Sequence, residues 1–305
     1  MSAATQAEAC DFLEWDSEFF GARIARLKTA TPDAAGMQAA LAWCRRERID
    51  CLYFLADSTN PAASDLAQDH QFRLVDLRVT LAGAARANTA AASPASLRAA
   101  EPSDAERLKA IARVSHRDTR FYADEHFPAG RCDALYETWI EKSVNGYADC
   151  VLMAEENGQA LGYVACHLKP AAAGQIGLLA VAPGAQQRGL GQHLLRAALD
   201  WFHGHGVERV TVVTQGRNVK AQRLYQRAGF VTESIHLWYH AWLNSAWAAQ
   251  QSFPQKADNG RQAFQNGGLR CSTCHSVAGS SGTLAVNLTD VYTKMGETGL
   301  VSACE

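Results

Sequence analysis

The sequence predicts a mixed α/β protein, and three observations support this prediction. In some segments apolar and polar residues alternate, as in strands, and in others the apolar residues have helical spacing. The two kinds of segment alternate along the chain. The dipeptide Asn157–Gly158 separates two strand segments, and this pair is the strongest short signal for a hairpin. Apolar residues make up 48% and charged residues 20% of the 305 residues, which is typical of ordinary globular proteins.

The N-terminal part predicts a small α/β domain over residues 1–82. Alternation or apolar runs predict strands at Arg23–Leu27, Cys51–Ala56 and Phe72–Leu81, and helical spacing predicts a helix at Met37–Arg48. The stretch that follows is rich in alanine and contains Ser93 and Pro94. We therefore expect a linker over residues 83–95.

A longer block over residues 96–245 predicts a second domain. We expect Ser103 and Asp104 to cap its first helix, because Glu106 lies at capping-box distance from Ser103. The other elements are predicted in chain order as a helix at Cys132–Val144, strands at Cys150–Glu155, Leu161–Leu168 and Gln175–Val181, a helix at Gln187–His205, a strand at Arg209–Thr214, a helix at Val219–Ala228, and one or two strands within Phe230–Trp242.

Charge and hydropathy patterning exclude some classes of protein. The net charge is −2, with Arg and Lys spread along the chain, whereas a duplex-binding protein needs a basic face. No run approaches the roughly 18 apolar residues of a membrane span. Acidic residues lie where a signal peptide would need apolar ones, so we expect a cytoplasmic location. Together these observations predict that the protein binds neither nucleic acid nor a membrane.

A glycine-bearing loop joins a predicted strand to a predicted helix. Strand residues Ile176–Val181 precede a Pro-Gly turn, and the loop then contains Gly189 and Gly191. The unpaired N–H groups of a helix start can hold a pyrophosphate, and glycine lets the backbone come close to it. Arg188 could add a charge-assisted bond. An ordinary strand-to-helix turn is the alternative to this interpretation.

A second motif, Asn218–Phe230, contains Asn-x-x-Ala-x-x-Leu-Tyr and ends at Gly-Phe. With the Gln-x-x-Gly-x-Gly form of the loop, it makes residues 96–243 resemble the GNAT superfamily of N-acetyltransferases. The resemblance implies a mixed, mostly antiparallel central sheet flanked by helices, and acetyl-CoA as the acetyl donor. It assigns cofactor binding to Leu179, Ala180, Val181, Gln186, Gln187, Arg188, Gly189, Leu190, Gly191, Gln192, Asn218 and Tyr225.

The resemblance also implies a mechanism. The strand at Leu178–Val181 would be splayed from its neighbour, and a backbone N–H of Leu179 or Val181 would stabilise the oxyanion. Tyr225 would be the general acid that protonates the leaving thiolate. Packing alone is the alternative role for Tyr225, and helix capping for Asn218. The base is left open among His116, Asp118, Glu125, His126, Glu137 and Glu141, with a water relay as a further alternative.

The acceptor is addressed by a finer resemblance. Phe12–Gly21, Tyr136–Gly146 and Ile176–Ala180 are similar to the dTDP-fucosamine acetyltransferases, which acetylate the 4-amino group of a dTDP-4-amino-4,6-dideoxyhexose. This resemblance implies a nucleotide amino sugar as acceptor and accounts for the small first domain. The alternatives are another small amine or a protein N-terminus, or an acetyl-CoA sensor without catalysis. The chain could also pair as a homodimer.

The C-terminal segment differs in composition. After a linker predicted at residues 246–256, residues 257–305 contain Cys271, Cys274 and the adjacent His275. They resemble the opening of a class I c-type cytochrome, which implies two thioethers and a haem iron ligand. A zinc site is the alternative, but Cys304 is the only other thiol nearby, which gives an incomplete set of ligands. We expect this truncated fragment to hold no haem, since the remaining helices of such a domain and an export signal are missing.

Overall fold

A computed structural model of the chain describes residues 9–87 and 95–243. The first range forms β1 (Cys10–Phe12), α1 (Glu14–Phe20), β2 (Ile24–Leu27), α2 (Ala34–Arg46), β3 (Cys51–Asp57), α3 (Pro61–Asp69) and β4 (Arg73–Ala84). The second forms β5 (Ser96–Ala99), α4 (Ala105–Ser115), α5 (Arg120–Ala123), α6 (Ala129–Lys142), β6 (Cys150–Glu156), β7 (Gln159–Lys169), β8 (Ala173–Val181), α7 (Leu190–Gly204), β9 (Arg209–Gln215), α8 (Val219–Arg227) and β10 (Val231–Trp242).

All these strands join one ten-stranded sheet in the order β1-β2-β3-β10-β4-β9-β8-β7-β6-β5. Two neighbouring pairs, β2 with β3 and β8 with β9, are parallel, and the other pairs are antiparallel. The predicted fold class, a mixed and mostly antiparallel sheet with flanking helices, is confirmed.

Strand β4 comes from the predicted N-terminal domain but lies between β9 and β10. It pairs with β10, for example Val79 opposite Ile235, and on its other edge with β9, Val79 opposite Thr214. Each half of the sheet nevertheless has its own cluster of buried apolar residues. The boundary between domains 1–82 and 96–245 stays a prediction, and the first two residues of the predicted linker, Gly83 and Ala84, belong to β4.

Helix α7 packs against β6, β7 and β8 with Leu194, Leu195 and Phe202 fully buried. Helix α4 packs on α6 and also contacts β7 and β8. Because successive strand residues face opposite sides of a sheet, β7 turns Val164 to the α7 cluster and Tyr163 towards the end of α4. The two helical layers therefore lie on opposite faces.

Two local predictions were wrong. Ser103 does not cap α4: the carboxylate of Asp104 accepts the N–H of Glu101 at 2.9 Å and bonds Arg98, which draws the chain into a short turn before the helix. The helix expected from Gln187 begins at Leu190, because Gln187 has a φ of 63°, outside the right-handed helical region. The closing segment, for which the sequence predicts one or two strands, is a single strand, β10.

Candidate active site

Strands β8 and β9 pair at one end and separate at the other. Their parallel register runs from Ala173 opposite Arg209 to Ile176 opposite Val212, and no later residue of β8 has a partner on β9. On its other edge β8 stays paired with β7 as far as Val181. Backbone groups of β8 that face the gap are therefore available to a ligand. The expected splay of this strand is present.

A cavity of about 310 Å³ lies at this gap. Residues Gly177–Leu179 of β8 line one side, and the end of β9 with Asn218 and Tyr225 lines the other. The remaining wall comes from β4, residues 115, 116 and 118–121, α6 and Trp238 of β10. The structure thus brings Leu179, Asn218 and Tyr225 together, while Ala180, Val181 and residues 186–192 are not among the described residues that line this cavity.

Tyr225 is 4% exposed and packs its ring against Phe230 at 5.8 Å between centroids. Burial raises the pKa of its phenol well above the usual value. The phenol therefore keeps its proton at neutral pH, as a general acid requires.

Asn218 begins α8 and caps it, since its Oδ1 accepts the N–H of Ala221 at 3.1 Å. The capping role left open by the sequence is therefore real. Its side chain also lines the cavity, and the amide nitrogen is the part that can donate to a ligand. The cap fixes the rotamer that holds this donor at the gap.

The loop before α7 has the backbone of an anion site. Gln187 and Gly189 have φ values of 63° and 79°, and the first helical bond runs from the His193 N–H to the Gly189 oxygen at 3.1 Å. The N–H groups of Leu190, Gly191 and Gln192 precede this bond and can donate to a ligand. A Cβ at Gly191 would make only an ordinary 3.5 Å contact with Leu224, so packing does not explain that glycine.

Two polar side chains of the loop bind the protein itself. Arg188 donates from Nη2 to both carboxylate oxygens of Glu156 at 2.9 Å, and Gln186 donates from Nε2 to the Val181 oxygen at 3.3 Å. The Arg188 contact ties the loop to the end of β6, and the Gln186 contact ties it to the end of β8. A phosphate contact of Arg188 stays a prediction.

The six candidate bases divide into two groups. Glu125, His126, Glu137 and Glu141 do not line the cavity and contact Arg73, Asp124, Arg113 and Lys109 respectively. His116 and Asp118 do line it. His116 lies 2.9 Å from the Tyr163 hydroxyl and stacks on Tyr136, and burial lowers its pKa to about 4. It is therefore neutral at pH 7.

Sequence reasoning did not single out three charged residues and one tryptophan of the cavity wall. Asp76, Arg78, Arg120 and Trp238 line the cavity. Asp76 and Arg78 have the two-residue spacing of one strand face, and charges there ordinarily indicate solvent. Arg120 had no local signal at all, because its partner His240 lies far along the chain. The burial of these charges depends on the insertion of β4.

Metal and membrane features were searched over the same described ranges. No group of three or more His, Cys, Asp or Glu side chains in residues 9–87 and 95–243 is placed to hold a metal ion. Within those ranges, every helix is too short or too polar to cross a membrane. Cys271, Cys274 and His275, with the segments 246–256 and 257–305, lie outside the described residues.

Comparisons with known proteins agree with this geometry. The model of the acetyltransferase (GNAT) family matches residues 112–230. The dTDP-fucosamine acetyltransferase of Escherichia coli O6:H1 is 30% identical over 238 residues, which cover 75% of this chain and 96% of that protein. The spore coat polysaccharide biosynthesis protein SpsD of Bacillus subtilis is 32% identical over 142 residues, 47% of this chain, and the chain spans only about half (49%) of that relative.

Solved structures show the same fold. A GCN5-related N-acetyltransferase from Sphaerobacter thermophilus superimposes with a TM-score of 0.55, at 16% identity, over 76% of this chain and 75% of that one. Sheet order, splayed strands, loop and relatives lead to one conclusion: the chain is an acetyltransferase and belongs to the GNAT family.

Proposed function

We propose that the protein transfers the acetyl group of acetyl-CoA directly to the amino group of a nucleotide-linked amino sugar of the dTDP-4-amino-4,6-dideoxyhexose type. The observation that supports this most is the cavity at the splayed strands. It combines Leu179, Asn218 and Tyr225 with a wall of aromatic and charged residues from β4, α6, β10 and residues 118–121. A donor site on one side and an enclosed acceptor site on the other suit a direct transfer.

The proposed reaction uses few groups of the protein. The acceptor nitrogen attacks the thioester carbonyl, and a backbone N–H of Leu179 or Val181 stabilises the oxyanion. The C–S bond then breaks, and the phenol of Tyr225 gives its proton to the leaving sulfur. The proton lost by the nitrogen goes to His116 or Asp118, directly or through water. Asn218 donates to the pantetheine arm.

The acceptor class rests on two kinds of support. One is the similarity to a dTDP-fucosamine acetyltransferase along nearly all of that relative. The other is the composition of the wall, which includes the aromatic side chains of Tyr136, Trp139 and Trp238, a residue type that packs against sugar rings. Because acetyl-CoA is a cytoplasmic supply, we place the reaction in the cytoplasm.

The test is a screen for acetyl-CoA-dependent release of free thiol. The panel contains dTDP- and UDP-linked amino sugars, free amino sugars, small amines and a peptide with a free N-terminus. We expect turnover with a dTDP-4-amino sugar and little with the peptide. Tyr225→Phe serves as the blank that keeps the fold. Turnover with the peptide or a simple amine, and none with any nucleotide sugar, would replace the proposed acceptor.

A further inference from the structure

A buried chain of hydrogen bonds holds Arg120 at the cavity wall. His240 is fully buried and Asp124 is 1% exposed, and His240 Nδ1 lies 2.6 Å from an oxygen of Asp124. The other ring nitrogen, Nε2, lies 2.7 Å from Nη1 of Arg120. Because a guanidinium only donates, Nε2 is the acceptor, and Nδ1 carries the proton that goes to Asp124. Burial lowers the pKa of His240 to about 4, in accord with a neutral ring.

Aromatic rings fix the plane of the Arg120 guanidinium. Its central carbon lies 4.1 Å from the ring centroid of Tyr53, 4.1 Å from that of Phe121 and 4.4 Å from that of Trp238. Rings of this kind cover the faces of the group and leave its edge N–H donors for hydrogen bonds. The cation is thus oriented without a carboxylate in direct contact among the described residues.

Arg78 supplies a second cation to the same wall. It is half-buried on β4, opposite His236 of β10, while Asp76 of the same strand face lies opposite Trp238. Arg78 therefore lies two residue pairs along the sheet, on the same face, from the Trp238 ring that contacts Arg120. In the described chain no carboxylate forms an ion pair with Arg78, and burial lowers its pKa.

The acidic groups near this wall are mostly matched. Asp76 lies 3.6 Å from Nε of Arg217 and also accepts the N–H of Leu77. Asp118 is exposed at the cavity. Asp16 and Asp76 are close enough to Arg120 to interact with it by charge, and burial raises the pKa of both carboxyls, but neither forms an ion pair with Arg120 within the described residues. Two half-buried cations without a direct counter-charge are costly to keep unless a ligand brings the anion.

We propose that Arg78 and Arg120 form an anion subsite that binds the phosphate groups of the acceptor. The inference rests on the proposed function, in which the acceptor carries a nucleoside diphosphate. Two guanidinium groups offer the forked donors that phosphate oxygens accept. The subsite explains how a sugar acceptor is selected over a simple amine, since the amine has nothing to give these two cations.

The probe is thymidine diphosphate, titrated by calorimetry into the full chain saturated with coenzyme A, so that the loop before α7 is occupied. Arg78→Met and Arg120→Met should each weaken binding about 10- to 100-fold, the scale of a lost charge-assisted bond. The matched control is Arg117→Met, three residues from Arg120, paired with Asp133 and absent from the cavity wall. It should bind as the unchanged protein does.

Kinetics gives a second measurement. In both variants KM for the dTDP-linked acceptor should rise by a similar factor, while acetyl-CoA affinity and melting temperature stay near those of the control. If Arg120→Met alone fails to fold, Arg78→Met carries the test. The subsite is overturned if the unchanged protein does not bind thymidine diphosphate, or if the variants bind it as tightly as the control does.

The subsite and the proposed function can fail separately. Loss of thymidine diphosphate binding in both variants, with no acetylation of any amino sugar, would retain the subsite and remove the proposed acceptor. Acetylation of a dTDP-amino sugar with unchanged diphosphate affinity in both variants would retain the function and remove the subsite.

Discussion

The imidazole of His167 occupies the space that a side chain at residue 177 would need, since a Cβ on Gly177 would lie 2.5 Å from its Nε2. Gly177 is also the extra residue of β8 where its register with β7 shifts. The pairing of β8 with β9 ends immediately before it, at Ile176. The close approach of His167 therefore belongs to the same irregularity at which β8 separates from β9.

Gly177→Ala should lower the free energy of unfolding by about 1–3 kcal/mol, the usual scale of overpacking, and weaken acetyl-CoA binding. Urea unfolding and calorimetry measure the two effects. Because the clash is with the end of one side chain, the double variant Gly177→Ala with His167→Ala should recover most of the lost stability. Failure of this rescue would mean that the backbone, rather than His167, demands the glycine.

Gly189→Val should weaken acetyl-CoA binding sharply, because the positive φ of 79° that shapes the loop is strained for a β-branched residue. Gly206 offers a matched control: its φ is 72°, and like Gly189 it has no atom within 4 Å of an added Cβ, but it follows the other end of α7. Gly206→Val should cost similar stability and leave affinity unchanged. Equal affinities in the two variants would contradict the loop assignment.

Tyr225→Phe should lower turnover about 10²–10³-fold, the scale of a lost general acid, with little change in acetyl-CoA affinity. The comparison is Tyr239→Phe, since Tyr239 is equally buried but lies in the other apolar cluster. Steady-state kinetics with calorimetry separates the two parameters. A Tyr225→Phe enzyme with unchanged turnover would remove this residue from the mechanism.

His116 should make the protein less stable in acid. Its pKa is lowered to about 4 in the folded chain, below the usual value of about 6.5. Between these values the unfolded chain binds a proton that the folded chain does not, so the free energy of unfolding falls as pH drops from about 7 to about 4.5. Urea unfolding across this range should show a shallower slope in His116→Gln. Exposed His203 provides the control variant, His203→Gln. His240, whose pKa burial also lowers, contributes the same pH dependence to the unchanged protein and to both variants.

Removal of residues 250–305 should leave acetyltransferase activity and melting temperature nearly unchanged. Strand β10 ends at Trp242, and the cavity-lining residues in the described part of the chain all precede it. We also expect no c-type haem absorbance from Cys271, Cys274 and His275 in the full chain. A haem band, or loss of activity on truncation, would show that the tail contributes to the protein.

The sequence predicted the parts of the site that depend on local patterns. Gly189 and Asn218 are the N-cap residues of α7 and α8, and helix starts depend on a few neighbouring residues. The positions of Arg78 and Arg120 in the cavity wall could not be predicted in this way. Arg120 is held at the cavity by contacts with His240 and Trp238, which are distant in sequence. The burial of Arg78 depends on which strands flank β4. The spacing of apolar residues within one segment does not show which strand will lie beside it in the sheet.

The insertion of β4 between β9 and β10 also constrains how the chain reaches its native state. Ala82 pairs with Val231, so β4 cannot form this pairing until β10, which is synthesised much later, is available. Such distant pairing carries a large loop-closure cost and is typical of slow folding. During synthesis the apolar edge of β4 stays without its final neighbours, a hazard for aggregation that chaperones commonly meet. An acetyltransferase fragment expressed from residue 96 alone would lack the central strand of its own sheet.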